Sequence, residues 1–167
     1  FSGGQPLATI VEHAVAMQAL QARLVADGRV QISSGVSPVE MRMVDGNRRE
    51  LTLSDGRTLV ADLLIAADGS RSQIREWAGI STQAKDYESD GVVANFKSEH
   101  SHGDIARQWF MGDAVLAYLP LPGNHISIVW SVSKEMSTAL PTGDPQAFCN
   151  AVADAGQHSL GQLSLVS

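Results

Sequence analysis

With 167 residues, the chain is long enough to bury a core of its own. Its 44% hydrophobic and 18% charged content fits an ordinary globular domain rather than a disordered or fibrous chain. A net charge of −6 with no Lys/Arg stripe excludes a nucleic-acid partner, because the densest basic stretch, Arg42 with Arg48 and Arg49, is diluted by Asp45 and Glu50. The single cysteine, Cys149, excludes an internal disulfide and points to a reducing, cytoplasmic setting. No apolar run approaches the roughly 18 residues that a membrane span needs, and no signal-peptide pattern is visible. The chain opens on Phe1 and closes on Ser167 in mid-pattern, which reads as a piece of a longer protein.

The spacing of Val11, Ala14, Met17, Leu20 and Leu24 predicts a helix within residues 7–26. Its start is ambiguous, since β-branched residues in "LATIV" also read as a short strand running into a helix near His13. Gly28 is placed to end it. "RVQI" at 29–32 reads as a strand. A hairpin follows, with Val39, Met41 and Met43, then Leu51 and Leu53, alternating with polar residues around the turn Asp45-Gly46-Asn47. Asp55-Gly56 makes a second turn. Beyond it, Leu63 to Ala67 is a continuous apolar run, the mark of a strand buried on both faces. Asp68-Gly69 stops that run, and a short helix is expected from about Ser70 to Trp77, ended by Gly79.

After about residue 86 the character changes. "ESDGVVANFKSE", "IARQWFMGD", "AVLAYLPLP" and "HISIVWSVS" are four strand-like segments punctuated by Gly103, Gly112-Asp113 and Pro122-Gly123-Asn124, which predicts an antiparallel sheet. Residues 142–156 predict a helix with Asp144 as N-cap, Pro145 at the first position, Phe148, Cys149 and Val152 inward, and Gly156 as the stop. The fold class is therefore mixed α and β, α+β with α/β character, without a run of βαβ units.

The Asp68-Gly69 corner has two readings. Asp-Gly is a common turn signal, and the corner reads simply as a turn. A doubly buried strand, however, belongs at the centre of a layered sheet, and open α/β folds place ligands at the C-terminal edge of such strands. Gly69 lets backbone and ligand approach closely, and Ser70 or Ser72 can cap a helix whose first amides are free. The Asp68 carboxylate repels phosphate but accepts hydrogen bonds from sugar hydroxyls, so a sugar-bearing cofactor fits this corner better than a bare phosphate.

"ADLLIAADGSRSQIREWAGI" resembles the Asp-Gly motif of the class A FAD-dependent aromatic hydroxylases, the para-hydroxybenzoate hydroxylase fold, through Ala67, Asp68, Gly69, Ser72 and Arg75. Downstream, Ala106 to Phe110, Leu119-Pro120-Leu121 and Val129-Trp130-Ser131 are similar to the middle region of the ubiquinone-biosynthesis branch. "IVEH" at 10–13 and "DPQAFCNAVADAG" are similar to the same branch. The likeness covers nearly the whole chain in the same order.

That resemblance implies part of a layered flavin-binding domain at 1–85, joined to part of a mostly antiparallel β-sheet substrate domain with a flanking helix at 86–167. It implies that Asp68, Gly69, Ser72 and Arg75 are cofactor-binding, with Arg75 orienting Asp68 or the phosphates. It implies FAD as cofactor, NAD(P)H as electron donor, O2 as co-substrate and an aromatic small molecule, a polyprenyl phenol, as substrate. An alternative is a soluble aromatic substrate, and another is a non-catalytic α/β binding module. Peripheral membrane contact and an oligomeric state of the full-length protein stay open. No catalytic base is identifiable.

Two family motifs are missing. No Gly-x-Gly-x-x-Gly for the pyrophosphate is present, and Gly3-Gly4 does not match it. Gly112-Asp113 and Gly143-Asp144 lie outside the context of the second flavin motif. The chain is therefore expected to be the centre of such an enzyme, inactive by itself and unable to retain FAD.

Other candidates carry less. His100 and His102 are spaced like metal ligands, with Asp104 the one nearby third group, but a solvated turn is the simpler reading and no metal is expected. Cys149 sits on an apolar helix face and reads as core. Trp109, Phe110, Tyr118 and Trp130 read as sheet core, with one or two free to line an aromatic pocket. Arg107 reads as an outward residue of its strand, or as a pocket charge.

Overall fold

The computed structural model describes residues 8–167. They form two compact units. One is Ala22–Lys85, and the other is Asp86–Ser167 together with the described residues up to Gln21.

Helix α1, His13–Asp27, runs from one unit into the other and carries no buried side chain. It starts at His13; residues 8–12 form no strand, and Leu7 of the expected segment lies outside the described residues. Gly28, at φ +69°, ends it in the left-handed region where a glycine costs least. Arg29–Ile32 is not a strand, because no described segment pairs with it.

In the first unit, β1 (Pro38–Val44), β2 (Arg48–Leu53) and β3 (Thr58–Ala61) form an antiparallel meander in that order. Met41 faces Leu51, and Leu51 faces Leu59, so the alternating apolar residues meet across the sheet. Gly46 at φ +71° and Gly56 at φ +85° make the two tight turns. The expected buried strand at Leu63–Ala67 is absent. Those residues are unpaired, with Leu63 77% and Ile65 76% exposed. A central strand needs ladder partners on both sides and apolar layers above and below, and no described strand runs beside this segment. Helix α2, Gln73–Trp77, follows and ends at Gly79 (φ +70°).

The second unit is a five-stranded antiparallel sheet of β4 (Ser89–Ser98), β5 (Arg107–Met111), β6 (Ala114–Leu121), β7 (His125–Ser133) and β8 (Leu163–Leu165), in the order β5-β6-β7-β4-β8. The four strands expected from sequence are all present. Strict alternation decides the core. Phe96, Leu116, Tyr118, Ile126, Ile128, Trp130 and Val132 are buried on one face, while Val93 and Val129 stay exposed on the other.

Helices α3 (Lys134–Ala139) and α4 (Pro145–Ala155) cover the buried face. Asp144 caps α4 by accepting from the Gln146 and Ala147 amides at 3.0 and 3.1 Å. Phe148, Cys149 and Val152 turn inward as their spacing requires. The Phe148 ring packs 5.7 Å from Phe96, and the Tyr118 hydroxyl donates to the Val152 carbonyl at 2.7 Å. Cys149 is buried core.

Candidate functional site

At the Asp-Gly corner, Gly69 adopts φ +91°, a conformation that an L side chain resists, and a Cβ there would meet open space. The glycine is thus needed for the bend itself, and it leaves the backbone bare on one side. Ser72 is the N-cap of α2 and only 4% exposed. Its hydroxyl donates to Asp68 Oδ1 at 2.6 Å and accepts from the Arg75 amide at 3.0 Å. Asp68 Oδ2 accepts from the Gln73 amide at 3.0 Å and the Ile74 amide at 3.4 Å. The carboxylate therefore closes the first turn of the helix. Hydrogen bonding from Ser72 above all, against a partial desolvation penalty, and then from the Ile74 and Gln73 amides holds its pKa below the usual aspartate value.

Arg75 Nη2 donates to the Ser70 carbonyl at 2.9 Å, which ties the guanidinium to the corner backbone rather than to Asp68. Gly69, Ser72 and Arg75 line a groove of about 520 Å³ whose other walls include Met41, Arg49 and Leu63. The lining holds two guanidiniums, Arg49 and Arg75, and one carboxylate, Asp62, so the groove favours an anion. Asp68 is not among the groove's lining residues. Three of the four sequence candidates are thus brought to one groove, and the fourth shapes the turn that positions them. Arg49 lines the same groove without any sequence signal that marks it. It lies in β2, paired with Met43 and Ala61, and no local motif connects it to a corner some twenty residues away.

The other candidates resolve structurally. Among the described residues no group of three His, Cys, Asp or Glu is arranged to hold a metal. His102 is 4% exposed, with Nε2 placed 3.0 Å from the Leu121 carbonyl and 2.7 Å from that of Gly123. Its Nδ1 accepts from the Asp104 amide at 3.0 Å. Arg107 Nη1 donates to the His102 and Ile105 carbonyls, so this half-buried cation braces a loop. Tyr118 and Trp130 are core, Trp109 stacks edge-on against Tyr118 at 4.7 Å, and Phe110 is 76% exposed.

Residues 7–154 match the FAD binding domain family. The chain belongs to that family. The FAD binding domain chain is 36% identical over 140 residues to ubiquinone hydroxylase UbiL of Rhodospirillum rubrum, which covers 81% of this chain and 31% of that protein. It is 38% identical to the mouse mitochondrial ubiquinone biosynthesis monooxygenase COQ6, over 87% of this chain and 33% of that one. It is 36% identical to 3-demethoxyubiquinol 3-hydroxylase of Escherichia coli K12, over 74% of this chain and 32% of that protein. The chain spans about a third of the length of these relatives.

In fold it is similar to Pseudomonas aeruginosa PqsL in complex with 2-aminobenzoylacetate, with a TM-score of 0.73 at 14% identity, covering 91% of this chain and 45% of that one. It is similar also to CmlS, a flavin-dependent halogenase, with a TM-score of 0.71 at 18% identity, covering 96% and 31%. The mixed α/β architecture with antiparallel sheets is thus that of flavin-dependent monooxygenases and halogenases. FAD is the cofactor that this family is built to bind.

The residues present fit part of that cofactor. The bare Gly69 backbone and the Arg49 and Arg75 guanidiniums suit a phosphate-bearing, sugar-bearing segment, while the Leu63 side of the groove is apolar. Among the described residues no helix is long and apolar enough to cross a membrane.

Proposed function

We propose that this chain is the central part of an FAD-dependent monooxygenase that hydroxylates an aromatic ring, a polyprenyl phenol of ubiquinone biosynthesis, with NAD(P)H and O2. The observation that carries this reading is the 36–38% identity to three proteins named as ubiquinone hydroxylases or monooxygenases, over 74–87% of the chain. Gly69, Ser72 and Arg75 support it as the cofactor-facing residues, because they share one groove. Asp68 serves by fixing the helix end through Ser72 and the Gln73 and Ile74 amides, which leaves one acceptor position on Oδ1.

The redox chemistry, from reduction by NAD(P)H through uptake of O2 to delivery of one oxygen atom to the ring, is what bound FAD supplies. The chain's own residues bind and orient. Gly69 would leave room for the cofactor beside the bare backbone, and Arg75, held by the Ser70 carbonyl, would present a pre-placed charge. The isolated chain holds one groove of a larger site, so it binds FAD weakly and does not turn over. The domain division at 85/86, a cytoplasmic setting and peripheral membrane contact in reach of a polyprenyl chain belong to the same proposal.

The test uses the full-length protein purified with FAD. NAD(P)H consumption coupled to hydroxylated product is expected with a polyprenyl phenol and not with a soluble hydroxybenzoate. Coupled product from the hydroxybenzoate alone, or none from either, overturns the assignment.

A further inference from the structure

Asp-Gly occurs five times, at Asp27-Gly28, Asp45-Gly46, Asp55-Gly56, Asp68-Gly69 and Asp90-Gly91. The pair is chemically labile as well as a turn signal. A glycine nitrogen has no Cβ beside it, so it can reach back to the aspartate side chain wherever the backbone lets the two meet. The five bonds share that intrinsic chemistry, and the fold decides which of them can use it. Four are restrained. Asp27, 20% exposed, is held through both oxygens by Arg29 at 2.6 and 2.8 Å. Asp55 accepts from the Arg57 guanidinium at 2.7 Å and the Arg57 amide at 3.1 Å, and the Gly56 amide that would attack it donates to the Leu53 carbonyl at 2.9 Å. Asp68 is engaged by Ser72, Gln73 and Ile74. Asp90 and Gly91 lie inside β4, paired with Val132 and Ser131, where the ladder keeps the backbone extended.

Asp45 escapes these restraints. It opens the turn between β1 and β2, and its side chain is 89% exposed. Its one hydrogen bond comes from Arg48 Nη2 at 3.2 Å, an exposed ion pair of little strength. Among the described residues the Gly46 amide makes no hydrogen bond, and Gly46 sits in the turn at φ +71°. Both the carboxyl and the nitrogen that would attack it are therefore at liberty here, and at no other Asp-Gly bond of the chain does the fold leave the whole pair so unheld.

We propose that Asp45-Gly46 is a self-modification site, the position in this chain that converts to isoaspartate. The Gly46 nitrogen attacks the protonated side-chain carboxyl carbon of Asp45. A C–N bond forms, the carboxyl hydroxyl and the amide proton leave as water, and a succinimide ring closes. Water then cleaves one of the ring's C–N bonds. Cleavage at the side-chain carbon restores aspartate. Cleavage at the backbone carbonyl carbon routes the main chain through the side chain and frees an α-carboxylate. The lengthened turn bears on the groove, because Asn47 lines it and the Asn47 carbonyl accepts from Arg49 Nη1 at 3.2 Å. A methylene added to this turn shifts the support of one of the groove's two guanidiniums. That consequence for FAD rests on the cofactor reading of the groove; the modification itself rests on the local geometry of the Asp-Gly bonds.

In the test, the full-length protein is aged at mildly acidic pH, and isoaspartate is tagged with a protein-isoaspartate methyltransferase and mapped by peptide mass spectrometry. A carboxyl that must first break a charge-assisted hydrogen bond, or a strand that must first leave its ladder, reacts about tenfold or more slowly. Asp45 is expected to lead each of the other four bonds by at least that factor. Ageing in guanidinium chloride removes the restraints and should bring the five to similar extents. Asp45→Glu keeps the charge facing Arg48 but closes only a larger, slower ring, and should lose the tag at this turn. The aged parent should bind FAD more weakly than the fresh parent, and aged Asp45→Glu should match its fresh counterpart. No isoaspartate at Asp45, a lead taken by another of the five bonds, or the same lead in guanidinium chloride would each overturn the site. Conversion at Asp45 with unchanged FAD affinity would overturn the link to the groove, whereas fresh protein that binds no FAD refutes the cofactor reading and leaves the mapped site standing.

Discussion

The Ser72 hydroxyl donates to the Asp68 carboxylate at 2.6 Å while accepting from the amide three residues on. A buried serine and an aspartate outside the helix thereby cap it jointly, and the Asp-Gly motif becomes a device for aiming a helix N-terminus. Ser72→Ala removes the cap and leaves the Arg75 amide without its partner. A loss of about 1 kcal/mol is expected in urea unfolding. Unchanged stability would show that α2 is held by other means.

Asp68 gives this corner a pH signature. Its pKa is held below the ordinary value of 3.8, chiefly by Ser72. A lowered folded-state pKa stabilises above the unfolded value and is lost as pH falls through the folded value. The corner is therefore at full strength at neutral pH and weakens only below about pH 4. In Asp68→Asn the acid loss of stability between pH 4 and pH 2 should be smaller than in the parent. Parallel curves would remove the titration from Asp68.

Gly156 meets Tyr118 in the sheet unit. A Cβ at Gly156 would lie 2.1 Å from the Tyr118 hydroxyl, which is committed to the Val152 carbonyl. Gly156→Ala must displace the ring or the helix end, at about 1–3 kcal/mol. Tyr118→Phe should recover only part of this, because the ring carbons Cζ and Cε2 would lie at 2.5 and 2.9 Å. A Gly156→Ala variant as stable as the parent in urea would contradict the packing.

His102 is a structural histidine. Replacing it with Phe orphans the Leu121 and Gly123 carbonyls and the Asp104 amide beside it. A loss of about 1–3 kcal/mol is expected by thermal unfolding. A neutral result would mean that water replaces the imidazole.

The sheet unit was largely legible. Leu116 and Tyr118 in β6, and Ile126, Ile128 and Trp130 in β7, alternate cleanly between Gly-containing turns, and Asp144-Pro145 marks α4 by its capping chemistry alone. Strand β8 was not seen, since three residues carry no period, and α3 announces itself only through the Ser133 cap on the Met136 amide.

The first unit was harder for a different reason. Leu63–Ala67 has the composition of a central strand, but strand formation needs neighbours, and composition cannot tell whether the described chain provides them. Likewise Asp68 was legible as special while its partner was not. That it turns to Ser72, and that Arg49 joins the groove from β2, are facts of tertiary placement.

Whether the Gly69 corner holds the cofactor decides the functional assignment. The direct measurement is FAD affinity of the full-length protein, by flavin fluorescence titration, for the parent, Gly69→Ala and Arg75→Ala, with exposed Phe110→Ala as control. Both corner variants are expected to bind FAD about tenfold more weakly or worse, and the control to match the parent. Parent-like FAD affinity in both corner variants would contradict the account.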